Sequence, residues 1–203
     1  MDCFKYVLNT EKVQIGAPSL REILRETGLL ITFRTKGESG KMALSENDYF
    51  KTLYGIIEKK IGDAVDIELY HNKRRIREFV KTAHKKGTIV IMSNHDFEKT
   101  PSKEEVIMHL HRMIGLGADV VKIAVMLNSR TDVLTLLQAA KEFPSKLPTP
   151  LITISMGNLG KISRLAGGIF GSALIFAAVA QTSALGQIEL THLKQELEYL
   201  HLN

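Results

Sequence analysis

Two hydrophobic periodicities alternate along this chain of 203 residues, and the alternation limits the folds open to it. Short apolar runs rich in β-branched residues predict strands at Leu29–Thr35, Ala64–Tyr70, Thr88–His95, Asp119–Met126, Pro150–Met156 and Gly171–Val179. Amphipathic stretches predict helices at Pro18–Glu26, Glu46–Ile61, Lys73–Lys85, Lys103–Leu116, Ser129–Phe143, Asn158–Ala166 and Thr191–Leu200. Strands and helices that alternate at these lengths predict βα units and a parallel sheet. No linker interrupts the pattern, so we expect residues 1–203 to form a single domain.

Such a sheet can be open and doubly wound, or closed into a barrel. A dinucleotide-binding open sheet carries a glycine-rich turn after its first strand, and Lys36–Gly40 does not match that fingerprint. Residues 157–161 lack the spacing of a phosphate-binding loop. In a (β/α)8 barrel, polar residues gather at the carboxyl ends of the strands, and several predicted strands here end in polar residues. The six predicted strands are nevertheless two fewer than a closed barrel of that kind needs.

The basic residues do not point to nucleic acid, although the net charge is +5 and the pI is about 9.2. They form short clusters on segments that also carry acidic residues, without interleaved aromatic side chains. That pattern favours solvated helix faces, so we expect no nucleic-acid partner. The positive charge would still attract a small anionic substrate.

The location of the protein is suggested by what its sequence lacks. No apolar run is long enough to span a membrane, so we expect no membrane association. The amino terminus does not have the layout of a secretory signal. Cys3 is the only cysteine, which excludes a disulfide framework and fits a reducing compartment. We therefore expect a cytoplasmic protein.

A lysine inside an apolar strand is the most reactive feature of the sequence. Alternation along Asp119–Met126 puts Lys122 on the opposite face from Val121 and Ile123. A buried amine is costly unless it is paired or neutral, and a neutral amine can form a Schiff base with a carbonyl compound. The alternative is a structural salt bridge with Asp66 or Glu68. Spacing alone leaves both interpretations open.

Two other residues can also have either a functional role or a purely structural one. His95 ends the strand before that of Lys122, where it can transfer protons or simply be a hydrogen-bonded structural residue. Arg164 follows the Pro150–Met156 strand and can clamp a carboxylate or lie on the surface. Metal binding is not expected, because no other His or Cys lies at ligand spacing from His95.

Several linked motifs together resemble one enzyme family, the type I 3-dehydroquinate dehydratases of the shikimate pathway. The motifs occur in the family's order and approximate spacing at Phe33–Thr35 followed by Glu38, His95–Pro101, Ala118–Ala124, Pro150–Gly157, Ser163–Gly167 and Ser183–Gln187. The resemblance runs from about Asp2 to the carboxyl terminus. It implies a (β/α)8 barrel, here incomplete, with about six of the eight strands present.

The resemblance also implies a lyase that dehydrates 3-dehydroquinate to 3-dehydroshikimate without a cofactor. Lys122 matches the Schiff-base lysine and His95 the general acid/base. The substrate-binding positions of the family are matched by Arg34, Glu38, Met156, Arg164, Ser183 and Gln187. Asp66 and Glu68 match an Asp-Ile-Glu-Leu strand and are expected to orient His95 or Lys122. Related enzymes are often dimers, which makes a homodimer the expected assembly.

Three departures from the family qualify this expectation. Leu185 replaces a common proline, which loosens the loop of Ser183 and Gln187. Gly168 replaces a common glutamate. The chain also begins near the end of the family's second strand, so we expect an amino-terminally truncated barrel with exposed strand edges, low activity and poor solubility. A class I aldolase-like Schiff-base enzyme and a non-catalytic remnant that binds quinate-like ligands are the alternatives.

Overall fold

Strands and helices alternate in the computed structural model, which describes residues 3–7, 22–25, 27–40, 43–143, 149–179 and 186–200. The strands in this part are β1 (Cys3–Val7), β2 (Gly28–Thr32), β3 (Ala64–Glu68), β4 (Ile89–Asp96), β5 (Val120–Met126) and β6 (Leu151–Met156). The helices are α1 (Glu46–Glu58), α2 (Lys73–Lys85), α3 (Lys103–Gly115), α4 (Arg130–Glu142), α5 (Lys161–Ala166) and α6 (Leu190–Tyr199). None of these helices is long and apolar enough to cross a membrane.

Most of the predicted elements lie within a few residues of where the pattern placed them. Helix α2 has the predicted bounds, and β5 differs from its predicted strand by one residue. The predicted helix at Asn158–Ala166 is a 3-10 turn at Asn158–Gly160 followed by α5. Of the helix predicted at Pro18–Glu26, residues 22–24 are helical, and 18–21 and 26 lie outside the described residues.

The prediction was wrong at two strands. The chain has a strand at Cys3–Val7, paired in parallel with β2, that the periodicity did not reveal. Conversely, Gly171–Val179 is not a continuous strand. Ser172 and Ala178 form only isolated bridges, to Leu151 and Glu189, and Gly171 has a φ of +97° that extended backbone does not adopt. The apolar composition of this segment matched the pattern of a strand, but the segment forms only these two isolated bridges and no continuous strand pairing.

The described chain divides into two compact units, and the expected single domain stays a prediction. The first unit comprises Met1–Ser93 and Met113–Val120, and the second comprises Asn94–Arg112 and Val121–Asn203.

In the first unit, β1 to β4 pair in parallel in chain order. Helices α1 and α2 bury Phe50, Leu53 and Phe79, and the rings of Phe50 and Phe79 meet edge to face at 6.3 Å. Burying each such side chain contributes about 1.5–3 kcal/mol. Strand β3 is buried along its whole length, including its two carboxylates. Buried carboxylates need a cation or hydrogen-bond donors, so such groups must lie next to β3.

In the second unit, β5 and β6 pair in parallel, with Lys122 beside Ile152 and Met126 beside Met156. Helix α4 begins with a capping box in which Ser129 and Asp132 satisfy each other's backbone N–H groups. Both strands are almost entirely buried. Runs that are apolar on both faces are typical of parallel strands covered by helices.

Candidate active site

In the first unit, Arg34 lies just beyond β2 and holds three carboxylates together. Its Nη2 donates to Asp66 Oδ1 at 2.7 Å, and its Nη1 donates to Glu38 Oε2 at 2.8 Å and to Glu68 Oε1 at 3.2 Å. Ser93 joins the cluster, because its hydroxyl donates to Asp66 at 2.6 Å and accepts from Arg34 at 3.0 Å. Alternation places Asp66 and Glu68 on one face of β3, so one guanidinium can reach both.

The charges in this cluster stabilise one another. Burial opposes the charge on Arg34, yet Asp66, Glu38 and Glu68 together outweigh burial and raise its pKa above the ordinary value. Burial also disfavours the charge on Glu68, but hydrogen bonds from His71 and Thr35 and the charge of Arg34 leave its pKa lowered. These shifts favour the charged forms of Arg34 and Glu68 within the Arg34 cluster, which comprises Arg34, Glu38, Asp66, Glu68 and Ser93.

A second ring of contacts holds Glu68 in place. Thr35 donates to it from its backbone N–H at 2.8 Å and from its hydroxyl at 2.7 Å, and His71 Nε2 lies 3.3 Å from Oε2. The ring of His71 stacks on Tyr49 at 4.2 Å, and the Tyr49 hydroxyl accepts the Glu68 backbone N–H. Thr35 lies in a motif that carries the family resemblance but was not assigned to the site, and sequence reasoning missed His71, Tyr49 and Ser93. His71 follows Glu68 by three residues, which was the only available signal.

The structure thus brings together four of the predicted site residues in the first unit. Arg34 and Glu38 were predicted to contact substrate, and Asp66 and Glu68 to orient His95 or Lys122. Their observed partners are mainly each other. Both carboxylates of β3 are bound by Arg34. The alternative interpretation of Lys122 paired it with one of these carboxylates and did not consider Arg34 as their partner.

Lys122 lies in the second unit and is fully buried in β5. Val121, Ile123 and Val125 are buried on the opposite face of the strand, as alternation predicted. The Nζ atom of Lys122 lies 5.2 Å from the centre of the Phe176 ring, within the range of a cation–π contact. An amine in this position is shielded from bulk water.

His95 lies near the carboxyl end of β4, on a strand next to that of Lys122. At their beginning the two strands are joined by Asp119, whose backbone N–H donates to the Val90 carbonyl at 3.0 Å. Beyond their ends, the Thr100 hydroxyl donates to the Met126 carbonyl at 2.8 Å. His95 is half-buried, and its ring stacks on that of Phe97 at 6.0 Å. The chain therefore carries an imidazole and a buried amine on neighbouring strands.

Arg164 is buried in α5 and is not a surface residue. Its Nη1 donates to the Phe176 carbonyl at 3.2 Å, and burial lowers its pKa. A cavity of about 10 Å³, room for about one water molecule, lies between Arg164, Phe176 and the neighbouring side chains. Phe176 thus contacts Arg164 through its carbonyl and Lys122 through its ring. It lies in the segment whose strand prediction was wrong, and no pattern singled it out.

The remaining predicted residues lie around the carboxyl end of β6, except one. Met156 is buried as the last residue of the strand. Gln187 is half-buried and follows Gly186, where a Cβ would collide with the carbonyl oxygen of Gly157. This close approach holds Gln187 near Met156. Ser183 and Leu185 lie outside the described residues. Among the residues that are described, no cluster of His, Cys, Asp and Glu could hold a metal ion.

Curated proteins are similar to this chain over almost its whole length, which is about four fifths of theirs. A 3-dehydroquinate dehydratase of Lactiplantibacillus plantarum is 49% identical over 203 residues, which cover 100% of this chain and 81% of the relative. A 3-dehydroquinate dehydratase of Listeria monocytogenes is 45% identical over 201 residues, which cover 99% of this chain and 80% of the relative.

Solved structures share the fold. The type I 3-dehydroquinate dehydratase of Clostridium difficile, solved with covalent modified comenic acid, is 42% identical with a TM-score of 0.91 over 99% of this chain and 82% of its own. The predicted fold class, an incomplete (β/α)8 barrel, is confirmed. The type I 3-dehydroquinase family matches residues 1–203. The chain therefore belongs to the type I 3-dehydroquinase family and is an enzyme.

Proposed function

We propose that this enzyme dehydrates 3-dehydroquinate to 3-dehydroshikimate through a Schiff base on Lys122, without a cofactor. The observation that carries the proposal is a fully buried lysine on a strand next to β4, which carries His95 as its next-to-last residue. Burial disfavours an ammonium ion, so the amine is available as a nucleophile. The Clostridium difficile relative, solved with covalent modified comenic acid, supports covalent chemistry in the family.

The first half of the reaction joins enzyme and substrate. The Lys122 amine attacks the ketone carbon, and the carbonyl oxygen takes up a proton to give a carbinolamine. His95 transfers protons so that this oxygen leaves as water and a protonated imine remains. The iminium ion withdraws electrons from the neighbouring carbon and makes its C–H bond acidic.

The second half removes the hydroxyl group. His95 takes the proton from the acidified carbon, and the electron pair forms an enamine. The enamine then expels the β-hydroxyl, which leaves as water with a proton from His95. Hydrolysis of the imine releases 3-dehydroshikimate and restores the Lys122 amine. One water is consumed and two are released, so the net change is loss of one water.

Substrate orientation is assigned to the remaining positions that match the family's binding residues. Arg164 provides a planar guanidinium that can hold the substrate carboxylate through two parallel hydrogen bonds. Gln187, Ser183, Arg34 and Glu38 are assigned to the hydroxyl groups.

Two further assignments complete the set. Met156 is assigned to the apolar face of the pocket. Asp66 and Glu68 hold Arg34 at 2.7 and 3.2 Å, so they are assigned a positioning role that acts through Arg34.

Borohydride trapping tests the proposal directly. The protein is incubated with 3-dehydroquinate, reduced with borohydride, digested, and searched for a modified peptide by mass spectrometry. We expect a reduced adduct on Lys122 and none on Lys122→Met. Lys161→Met is the matched control, because Lys161 is an exposed lysine of the same unit and its loss leaves the adduct intact.

Two outcomes would contradict the proposal. A folded protein that forms no adduct favours the non-catalytic remnant. An adduct accompanied by carbon–carbon bond cleavage, without formation of 3-dehydroshikimate, favours the aldolase-like alternative.

The proposed homodimer is tested separately by light scattering, where a monomer mass would contradict it.

A further inference from the structure

Helix α2 and the end of α3 border a groove of about 510 Å³ in the first unit. Its lining residues are Arg77, Val80, Lys81, His84, Lys85, Ile114, Gly115, Leu116 and Gly117. None of them is acidic, and none belongs to the proposed catalytic set. The groove is shallow and widely open to solvent, so a ligand there would lie along the surface.

One wall of the groove is a row of cations. Arg77, Lys81 and Lys85 recur every fourth residue of α2, so they lie on one face about 6 Å apart along the helix axis. All three are exposed, and within the described part of the chain none of them forms a salt bridge. Their neighbour Arg74, by contrast, is paired with Glu78 at 2.9 Å.

One further basic residue on the groove already has an acidic partner. His84 Nε2 lies 2.9 Å from Asp119 Oδ2, and both side chains are partly exposed. The positive charge that the groove presents therefore comes from the three residues of the row.

The floor of the groove is apolar. Val80 and Leu116 are each 4% exposed, and Ile114 is partly exposed beside them. Gly115 leaves the floor open, because a Cβ at this position would meet no atom within 4 Å. An apolar floor next to three uncompensated cations suits a ligand with a flat apolar body and a chain of negative charges.

We propose that this groove binds a nucleoside polyphosphate. The base packs on Val80, Ile114 and Leu116, and the phosphates lie along Arg77, Lys81 and Lys85. A single carboxylate would engage one or two cations, whereas a row about 12 Å long matches several linked anionic groups. Arg77 offers a fork suited to phosphate oxygens, and the two lysines provide point charges.

The test is calorimetric titration of the full chain with ATP, adenosine and inorganic tripolyphosphate at low ionic strength, where exposed charges are least screened. We expect ATP to bind more tightly than either fragment. The triple variant Arg77→Ala, Lys81→Ala, Lys85→Ala should weaken ATP binding by about tenfold or more. The control triple variant Lys51→Ala, Lys59→Ala, Arg130→Ala removes the same charge from exposed positions and should bind ATP like the parent.

A second variant tests the floor independently of charge. Gly115→Leu fills the open space and keeps all cations, so it should weaken binding of ATP but not of tripolyphosphate. Unchanged melting temperatures show that the variants fold. The proposal is overturned if the parent does not bind ATP, if both triple variants behave alike, or if ATP and tripolyphosphate bind equally well.

Discussion

Arg34 and Arg164 are both largely buried, and their surroundings have opposite effects on them. Arg34 contacts three carboxylates, which raise its pKa, whereas burial lowers the pKa of Arg164, which donates to a backbone carbonyl. A buried cation surrounded by carboxylates is stabilised by the protein itself. A cation held at a cost by burial gains most from an incoming anion. We therefore expect the buried charge of Arg34 to serve mainly the structure of the first unit, and that of Arg164 to serve the binding of an anion in the second.

Lys122→Met should have the largest effect on the reaction and almost none on the fold. Removing the nucleophile is expected to lower turnover on the order of 10⁴-fold or more. Methionine matches the length of the lysine stem and keeps its packing in β5, so the variant should remain folded. Turnover assays and urea denaturation measure the two quantities. A strongly destabilised variant would show that Lys122 has the structural role that spacing left open.

Arg34→Met, in contrast to Lys122→Met, should have a large effect on the stability of the fold. It leaves the carboxylates of Glu38, Asp66 and Glu68 without their shared cation, which is expected to cost about 3–5 kcal/mol of the free energy of unfolding. The control is Arg74→Met, which breaks an exposed pair and should cost less than about 1 kcal/mol. Urea denaturation of both variants gives the comparison. Equal losses would contradict the structural role that the contacts of Arg34 indicate.

Arg164→Lys keeps the positive charge but loses the planar fork. We expect KM for 3-dehydroquinate to rise by about tenfold or more, with a smaller change in kcat, because a bidentate contact to the carboxylate is lost. Steady-state kinetics separates the two constants. An unchanged KM would contradict the assignment of Arg164 to the substrate carboxylate.

The sequence predicted those parts of the molecule that depend on local pattern. Helix α2 and strand β5 follow from apolar periodicity, and the burial of Lys122 follows from alternation along its strand. The contacts of Arg34 did not follow, because each partner lies more than thirty residues away except Glu38. Phe176 was missed for a related reason. Its segment reads as a strand, but its isolated bridges depend on Leu151 and Glu189, which no local pattern includes.

Glu68→Gln gives the smallest expected effect and tests the Arg34 cluster through pH. The pKa of Glu68 is lowered in the folded protein, so its contribution to stability is fully present above its ordinary pKa of 4.5 and is lost as the pH falls through the lowered value. The neutral amide cannot make this contribution, so the variant should be less stable at pH 7 by about 1–3 kcal/mol.

The pH dependence distinguishes this loss from a packing defect. Below pH 4.5 the parent loses the contribution of Glu68 and the variant does not, so the difference between their unfolding free energies should shrink as the pH falls. Urea denaturation of both proteins between pH 7 and pH 3 measures it. A difference that stays constant over this range would mean that Glu68 acts through its shape, and the charge balance assigned to the Arg34 cluster would then be wrong.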